Sequence, residues 1–427
     1  MSDDCKVKVE ELDKFKNIKK ADKAWIATFF GTSIGSGILF LPIMAGMAGF
    51  YVTVVVMILA FVTSYFAQKL YGLVLVNSEK AQSYNKAIEE YLGFGLASIV
   101  SFIFTILLFG GVIAFSTGLN TDIGEFLYQY KITSANISSN PMFPFVMLLI
   151  IVLFMVFTES FLLKFVDKLT SVLIVLLIIL AIMFIPYWRF DTFLQFPTDL
   201  KTVFRNVFLC FPLYMGALFF YQALSPMVMY YRKNYPELSK EEHEKKVIKL
   251  NKFAVIILSF FTGIFILSSA FTLTPASISY AYTHNISALA VVGAGSPPTF
   301  TLGAIKFLSY LVIFFGLLTS FFGLSLGLIE LLQNQIPFPK KWSDLKKKRV
   351  TTISLMIFIW IFTTFNINVL GIMGLFSTPF NALILFIIPA GLVLFNKRLK
   401  KYSKIAALIM LIIGIFTAFS YFLGLIL

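Results

Sequence analysis

The chain has 427 residues, of which 59% are hydrophobic and only 13% are charged, and its formal net charge is +14. Its mean hydropathy is +0.88. Soluble domains keep roughly a quarter of their residues charged, so this composition excludes a globular protein that faces water on all sides. We expect an all-α membrane protein whose positive charge lies in cytoplasmic loops beside the lipid bilayer and does not bind nucleic acid.

Eleven segments are apolar over a length that can cross a bilayer, which takes roughly 20 residues as a helix. They lie at residues 24–50, 51–76, 93–119, 141–163, 165–186, 204–231, 253–273, 303–330, 350–370, 372–395 and 404–427. The sequence therefore predicts about 11 transmembrane helices joined by short loops. A charged cytoplasmic leader, residues 1–23, precedes them.

The distribution of lysine and arginine predicts the orientation of these helices. With the N-terminus in the cytoplasm, 30 of the 35 basic residues lie on the cytoplasmic side. Because positively charged loops stay inside, we expect a cytoplasmic N-terminus and an external C-terminus. In the largest inner loop, the pattern from Ser239 to Glu242 is a capping box that predicts a short helix through Lys249. Residues 79–91 predict a second surface helix.

The first span carries small residues in mid-membrane, in the run Gly-Thr-Ser-Ile-Gly-Ser-Gly at 31–37, and Pro42 follows. One pair, Gly31 and Gly35, would suit close packing of helices. Six small or hydroxylated residues in seven favour instead a true break of the helix. Backbone groups freed by a break inside a membrane must be satisfied by protein, water or ligand.

The sixth span contains a second interruption. Pro226 has no N–H and clashes with the preceding turn, so it predicts a break or kink that frees carbonyls near Gln222. The two breaks are five helices apart. A second five-helix repeat would therefore enter the membrane inverted, and the breaks would meet at the midplane. We expect repeats at 24–186 and 204–395, followed by an eleventh helix at 404–427.

The sequence GTSIGSGILFLPIMAG at 31–46 resembles the signature of the hydroxy/aromatic amino acid permeases, within the amino acid–polyamine–organocation superfamily. Residues 166–188 are similar to the fifth helix of the serine/threonine branch, and residues 317–332 to the family's eighth helix. The resemblance implies a five-plus-five inverted-repeat carrier in the bacterial cytoplasmic (inner) membrane. It also implies import of an amino acid with a coupled cation, H⁺ rather than Na⁺, and no other cofactor.

The chain departs from both branches of this family. It has Ala223-Leu224 where the serine/threonine branch tends to have Asn-His, and aliphatic residues around Leu177 where the aromatic branch tends to have a lysine. Serine or threonine is the favoured substrate, and a tyrosine or tryptophan permease is the alternative. A membrane sensor built on a carrier fold is an alternative of another class.

An amino acid zwitterion presents a carboxylate, which suits the amides at the start of a half-helix, and an ammonium, which suits carbonyls before a break. The expected substrate-binding residues are Thr32, Ser33, Ile34, Gly35, Ser36, Gly37, Phe220, Tyr221 and Gln222. Candidates for a cation site or polar lining are Thr28, Thr319, Ser320 and Ser325, with Ser377, Thr378 and Asn381 as further lining. Hydrogen bonding of these hydroxyls to their own helices is the alternative.

Charged residues near the membrane lie close to the predicted span ends, which argues against a buried proton-relay carboxylate. The two histidines, His243 and His284, lie in loops on opposite sides and have no partner at metal-ligand spacing. Cys5 and Cys210 predict neither a disulfide nor a metal site. These patterns argue against an enzyme, and they predict no catalytic residue and no metal.

Overall fold

The computed structural model describes residues 20–33, 36–79, 84–157, 159–195, 199–293, 299–339 and 341–427, and within these ranges every regular element is a helix. The predicted all-α class is therefore confirmed. Residues 1–19 of the predicted leader lie outside the described ranges. The first helix begins at Lys20, four residues before the predicted start of the first span.

The longer helices follow the order of the predicted spans. They are α1 (Lys20–Ser33), α2 (Ser36–Ala48), α3 (Phe50–Asn77), α4 (Tyr84–Gln129), α5 (Met142–Phe157), α6 (Glu159–Met183), α7 (Leu200–Gly216), α8 (Tyr221–Asn234), α9 (Lys240–Thr272), α10 (Pro275–His284), α11 (Phe300–Gln335), α12 (Asp344–Thr364), α13 (Val369–Phe395) and α14 (Lys404–Ile426). In the packed bundle α11 lies along α4, α9 along α3 and α14 along α7.

Seven helical spans in the described part of the chain are long and apolar enough to cross a membrane, with α7 and α8 counted as one. The bent pair α1–α2 makes an eighth. The predicted spans at 141–163, 165–186 and 350–370 are occupied by α5, α6 and α12. Their described apolar stretches are shorter, or carry charge in the first turns as α12 does, so their crossing of the bilayer stays a prediction.

Both predicted surface helices form, but each is continuous with the membrane helix after it. Ser239 and Glu242 make the predicted capping box, and the helix runs on to Thr272 instead of ending near Lys249. The described part of the other surface helix opens α4, which kinks at Gly93 with φ +80°. That left-handed backbone favours glycine and separates the surface turn from the span.

The tenth span accommodates Pro379 without a gap in the helix. Its backbone widens to π-helical turns at Ile372–Ser377 and Leu383–Ile387, on either side of the proline-containing turn. Wider turns leave room for the proline ring, which in a regular α-helix clashes with the carbonyl four residues earlier. The break that separates α12 from α13 lies at residues 365–368, where Asn366 has φ +46°, several residues before the predicted boundary at 371.

A buried ion pair joins the first helix to the rest of the bundle. Lys246 Nζ of α9 lies 2.6 Å from Asp22 Oδ2 of α1, and the two side chains are 4% and 1% exposed. The Tyr231 hydroxyl of α8 donates a hydrogen bond to the other Asp22 oxygen. Three helices therefore meet at one carboxylate, which is stabilised by a cation and by a hydroxyl donor.

We expect Tyr231→Phe to lower the free energy of unfolding by about 1.5–3 kcal/mol, the range for a hydrogen bond to a charged group. The neighbouring Tyr230 is 37% exposed, so Tyr230→Phe is the matched control and should change stability little. Thermal unfolding of the purified protein in detergent measures both. Equal melting temperatures for the two variants would contradict a stabilising role for the Tyr231 hydroxyl.

Candidate functional site

The first span is broken where the small residues cluster. Helix α1 ends at Ser33, α2 begins at Ser36, and the two helix axes differ by 57°. The predicted break is therefore confirmed. Ile34 and Gly35 lie outside the described residues, and nothing is described of the Ser36 side chain. At the start of α2, the first backbone N–H groups have no carbonyl partner within the helix.

Gly31 also serves helix packing, the alternative explanation for the small-residue pair. A Cβ placed on Gly31 would lie 2.8 Å from Thr170 Cγ2 of α6, so α1 and α6 approach too closely there for a side chain. Packing and breakage are therefore distinct features of the same run. Gly31 supports the contact with α6, and the helix ends two residues later.

The sixth span is also interrupted, but not at the proline. Helix α7 ends at Gly216 and α8 begins at Tyr221, so the gap precedes Pro226, which lies inside α8. The expected position was wrong because the helix tolerates the loss of the single hydrogen bond from residue 226 to the Gln222 carbonyl. The open backbone at 217–220 is instead stabilised by a side chain from another helix.

That side chain is Gln68 of α3, which is fully buried. Its Nε2 donates to the Leu218 carbonyl at 3.1 Å, and its Oε1 accepts from the Phe220 amide at 2.8 Å. One amide group thus satisfies a backbone acceptor and a backbone donor that the gap leaves exposed. Gln68 was missing from the sequence-based site. The signal for it was a lone amide within an apolar span.

The two breaks are in direct contact. Ser33 Oγ at the end of α1 donates to the Phe219 carbonyl in the second break, at 3.0 Å. A Cβ on Gly37 would lie 3.3 Å from Ala217 Cβ, so the start of α2 and the second break meet closely there. Ser33 and Phe219, which are 186 residues apart in sequence, therefore join the end of α1 to the gap between α7 and α8.

A cavity of about 1460 Å³ opens onto this meeting point. Of the predicted site residues it is lined by Thr28, Thr32, Ser33, Gly37, Tyr221, Gln222, Thr319 and Ser320, and further along by Ser377, Thr378 and Asn381. These residues come from α1, α2, α8, α11 and α13. The structure therefore brings most of the predicted binding and lining residues, spread over the sequence from 28 to 381, around one space.

Two predicted residues lie away from the cavity. Phe220 is fully buried and stacks on Phe29 of α1, with 4.5 Å between ring centroids, while its neighbour Phe219 lines the cavity. Phe220 therefore packs the two half-helices together instead of contacting a solute. Ser325 is also fully buried and outside the cavity lining. Ser325 lies five residues beyond Ser320 and six beyond Thr319 on α11, and at this spacing a helical residue faces a different side of the helix.

Aromatic residues form the opposite wall of the cavity. Tyr71 stacks on Tyr84 with 4.6 Å between ring centroids and meets Tyr221 edge-on at 5.6 Å. The Tyr221 hydroxyl donates to Asn381 Oδ1 at 3.0 Å, which links α8 to α13. Tyr221 was a predicted gate residue, and the structure places it between the breaks and this aromatic wall.

The candidate cation-site hydroxyls bond within their own helices. Thr28 Oγ1 donates to the Ala24 carbonyl at 3.0 Å, and Thr319 Oγ1 donates to the Phe315 carbonyl at 2.8 Å. This is the geometry of the alternative explanation. Both residues also belong to the cavity lining.

Charged residues of the cavity lining lie at its mouth. Among the described lining residues these are Lys86 and Glu89, which form an exposed 2.8 Å ion pair near the start of α4, and Glu330 near the end of α11. The lining around the two breaks is uncharged, with hydroxyl, amide and aromatic groups beside apolar side chains such as Leu213, Met215 and Met373. An uncharged solute or a zwitterion is therefore the chemical class that this inner end can accept without burying an unpaired charge.

The sequence argued against a buried proton-relay carboxylate, and the structure shows that two carboxyls of α4 are buried. Asp122 is fully buried and Glu125 is 2% exposed, because α4 continues to Gln129, ten residues beyond the predicted end of the third span. Hydropathy ended the span at the first polar residues. The structure extends the helix into a polar, protein-enclosed region, at the end of α4 away from the cavity mouth.

Comparison with known proteins places these features in a family. The sequence profile described as the tryptophan/tyrosine permease family matches residues 21–417. The chain is 25% identical over 416 residues to the probable serine transporter of Escherichia coli (strain K12), covering 94% of this chain and 91% of that protein. It is 25% identical over 429 residues to the threonine/serine transporter TdcC of Edwardsiella tarda, covering 95% of each chain.

A third relative, the serine transporter SdaC of Escherichia coli (strain K12), is 24% identical over 400 residues, which is 90% of each chain. The resemblance of residues 31–46, 166–188 and 317–332 to the hydroxy/aromatic amino acid permeases is therefore confirmed, and the relatives fit its serine/threonine branch. The family profile covers both helix breaks and every described cavity-lining residue. The chain belongs to the tryptophan/tyrosine permease family.

Proposed function

We propose that the chain is a secondary active transporter that imports serine or threonine by symport with a cation, the proton in preference to sodium. It acts in the bacterial inner membrane with its N-terminus in the cytoplasm and its C-terminus outside. The single observation that carries this proposal is the contact between the two helix breaks at the inner end of the cavity. Membrane carriers bind solutes where discontinuous helices expose their backbone.

The start of α2 suits the carboxylate of an amino acid. The N–H groups of Ser36, Gly37 and Ile38 have no partner within their helix, and the helix dipole adds positive potential at this end. No arginine is needed for a carboxylate bound in this way. Gly37 has no side chain, so the substrate carboxylate can approach the backbone closely, and Gly37 lies in the cavity lining.

The carbonyl ends of α1 and α7 suit the ammonium group of the same molecule. Helix C-termini carry negative potential and carbonyls without a helical donor. The Gln222 carbonyl adds another acceptor, because Pro226 cannot donate to it. A zwitterion lying between Gly37 and Gln222 would then have both charges satisfied by backbone dipoles.

The coupled ion has two candidate arrangements. The cavity hydroxyls of Thr28, Thr319 and Ser320 offer oxygen ligands to a small cation such as sodium. Proton coupling needs a titratable group instead, and Asp122 and Glu125 are buried carboxyls of α4. We favour the proton, because the chain has these buried carboxyls and because the resemblance implies it.

The five-plus-five inverted repeat, at 24–186 and 204–395, belongs to the same proposal. Breaks in the first and sixth spans are what such a repeat predicts, and an odd number of spans per repeat inverts the second copy. The orientation rests on the excess of lysine and arginine in alternate loops, where 30 of 35 fall on the cytoplasmic side.

Uptake into proteoliposomes tests the proposal. Purified protein is reconstituted, and uptake of labelled serine, threonine, tyrosine and tryptophan is measured under an inward pH gradient or an inward sodium gradient, imposed separately. We expect serine and threonine uptake that requires the pH gradient and is competed by the unlabelled amino acid. Protein-free liposomes are the control for leakage.

Each other outcome overturns a named part of the proposal. Uptake of tyrosine or tryptophan alone would replace the substrate by the aromatic alternative. Uptake that follows the sodium gradient would replace the proton. No uptake of any of the four under either gradient would refute transport of these amino acids and favour a sensor built on a carrier fold.

A further inference from the structure

The segment at residues 285–292 closes the bundle at the end of α4 opposite the cavity mouth. Lys86 and Glu89 line the mouth before the kink at Gly93, and Asp122 lies 29 residues beyond that kink, roughly 44 Å along the helix. Every residue of the segment is buried, each at most 6% exposed. On the proposed orientation, this segment is the external closure of the carrier. We call residues 285–292 the outer segment.

Helix α4 holds the outer segment through three side chains. Thr121 Oγ1 donates to the Asn285 carbonyl at 2.8 Å, and Gln129 Nε2 donates to the Ala290 carbonyl at 3.1 Å. Between them, the Ser287 amide and hydroxyl donate to Asp122 Oδ1 at 2.8 and 3.1 Å. Opening the outer segment therefore requires separation of Ser287 from Asp122.

Asp122 is poorly placed to carry a charge in this closed arrangement. It is fully buried, its Oδ2 has no hydrogen-bond partner, and it forms no ion pair with a described residue. An ionised carboxylate without a counter-ion in the interior is strongly disfavoured relative to the neutral acid. Glu125, one turn further along α4, adds a second acidic group instead of a cation.

The titratable side chains that hydrogen-bond to Glu125 or lie within electrostatic range of Asp122 are also acids. Glu125 accepts hydrogen bonds from Gln129 and Asn136 and, at 3.4 Å, from Tyr280 of α10. Tyr310 of α11 is 7% exposed, and its hydroxyl has no hydrogen-bond partner. This hydroxyl lies within electrostatic range of both carboxyls. Tyr130 and Tyr280 lie within electrostatic range of Tyr310 in turn.

Cations near this cluster do not neutralise Asp122. Lys306 lies one turn before Tyr310 on α11 and forms no ion pair with either carboxyl in the described part of the chain. His284 stacks on the ring of Tyr280 with 4.0 Å between centroids, and it is exposed to solvent beyond that ring. The outer segment itself, residues 285–292, contains no titratable side chain.

We propose that Asp122 is a proton-binding site whose occupancy is linked to closure of the outer segment over α4. When the segment closes, a proton from external water forms an O–H bond at Oδ2, and the neutral acid stays buried against Ser287. When the segment lifts, water reaches the carboxyl and the proton can leave. External acid then favours the closed form, and alkali favours the open form. The external direction rests on the proposed function.

The distance between the outer segment's flanking helix and α4 tests this proposal. Spin labels are attached at Tyr128→Cys and Tyr282→Cys, which are 45% and 41% exposed, in the full chain with Cys5 and Cys210 replaced by serine. Pulsed electron paramagnetic resonance measures the distance distribution in nanodiscs at about pH 5 and about pH 9, which bracket the titration of a buried carboxyl.

We expect one short distance in acid and a growing longer component in alkali. Asp122→Asn, a neutral group of the same shape, should keep the short distance at both pH values. Glu125→Gln removes a neighbouring acid and should reduce the alkaline component. Asp191→Asn is the matched control, since Asp191 is an exposed carboxyl, and should respond as the unsubstituted protein does.

Two results would overturn the proposal. One is a distance distribution that does not change with pH in the unsubstituted protein, and the other is a pH response that persists in Asp122→Asn. The measurement needs no substrate. A pH-linked distance change without amino acid uptake would therefore refute the transport proposal and leave the proton site standing, and uptake with a pH-independent distance would refute the proton site alone.

Discussion

Replacement of Gln68 by leucine is expected to reduce amino acid uptake by at least tenfold. The substitution leaves the Leu218 carbonyl and the Phe220 amide without their partner in a buried region. Each unsatisfied buried backbone group costs about 1–3 kcal/mol. A loss of about 1.4 kcal/mol corresponds to a tenfold change in an equilibrium or a rate, so the open backbone at 217–220 should no longer hold its binding geometry.

The measurement is the initial rate of serine uptake in proteoliposomes, with the amount of folded protein checked by size-exclusion chromatography. Gln195→Leu is the control, since Gln195 is an exposed glutamine outside the helices and its loss should leave uptake unchanged. Gln68→Glu keeps the acceptor for the Phe220 amide and should fall between the two. Normal uptake by folded Gln68→Leu protein would show that the second break does not depend on this amide.

Gly37→Leu is the second substitution with a large expected effect. Even the Cβ of a new side chain would lie 3.3 Å from Ala217 Cβ and 3.7 Å from Met373 Cε, and the remaining atoms would occupy the space beside the start of α2. The amides proposed to bind the substrate carboxylate would be covered. We expect uptake to fall below the detection limit while the helices stay folded.

The control for this variant is Gly95→Leu, because a Cβ on Gly95 meets no atom within 4 Å and the residue is exposed. Substrate binding, measured by isothermal titration calorimetry, distinguishes blocked binding from blocked conformational change. Loss of both binding and uptake is expected. Unchanged binding with lost uptake would move the carboxylate site away from Gly37 and leave the breaks with a purely conformational role.

Features carried by local composition were predictable from the sequence. The apolar runs, the cluster of small residues at 31–37 and the capping box from Ser239 to Glu242 each depend on neighbouring residues, and each is present in the structure. The cavity lining includes several of the predicted site residues for the same reason. Ser33, Gly37 and Tyr221 are close to open backbone, and that backbone is marked by small residues or by a proline within a few positions.

Predictions failed where a distant residue decides the outcome. The break in the sixth span lies at 217–220, and not at Pro226, because Gln68 from a helix 152 residues earlier in sequence satisfies the freed amide. Phe220 was expected to line the cavity, but its ring stacks on Phe29 and packs α1 against α8. Neither partner can be read from the residues around the break.

The buried carboxyls show the same limit. Hydropathy treats Asp122 and Glu125 as the end of a span, since a charged residue facing lipid is disfavoured. Whether such a residue faces lipid, water or protein depends on what packs against it, and here Ser287, Asn136 and Gln129 supply hydrogen bonds. A polar region enclosed by protein has no local signature in an amphipathic stretch.

The sequence by itself determined the class, the order of the helices, the break in the first span and the resemblance to a permease family, because each is encoded in hydropathy and in short runs of small residues. Only the tertiary structure decided which residues surround the cavity, where the sixth span is interrupted and which carboxyls are buried. The physical reason is that backbone hydrogen bonds freed by a break, and charges removed from water, are satisfied by residues far away in the chain.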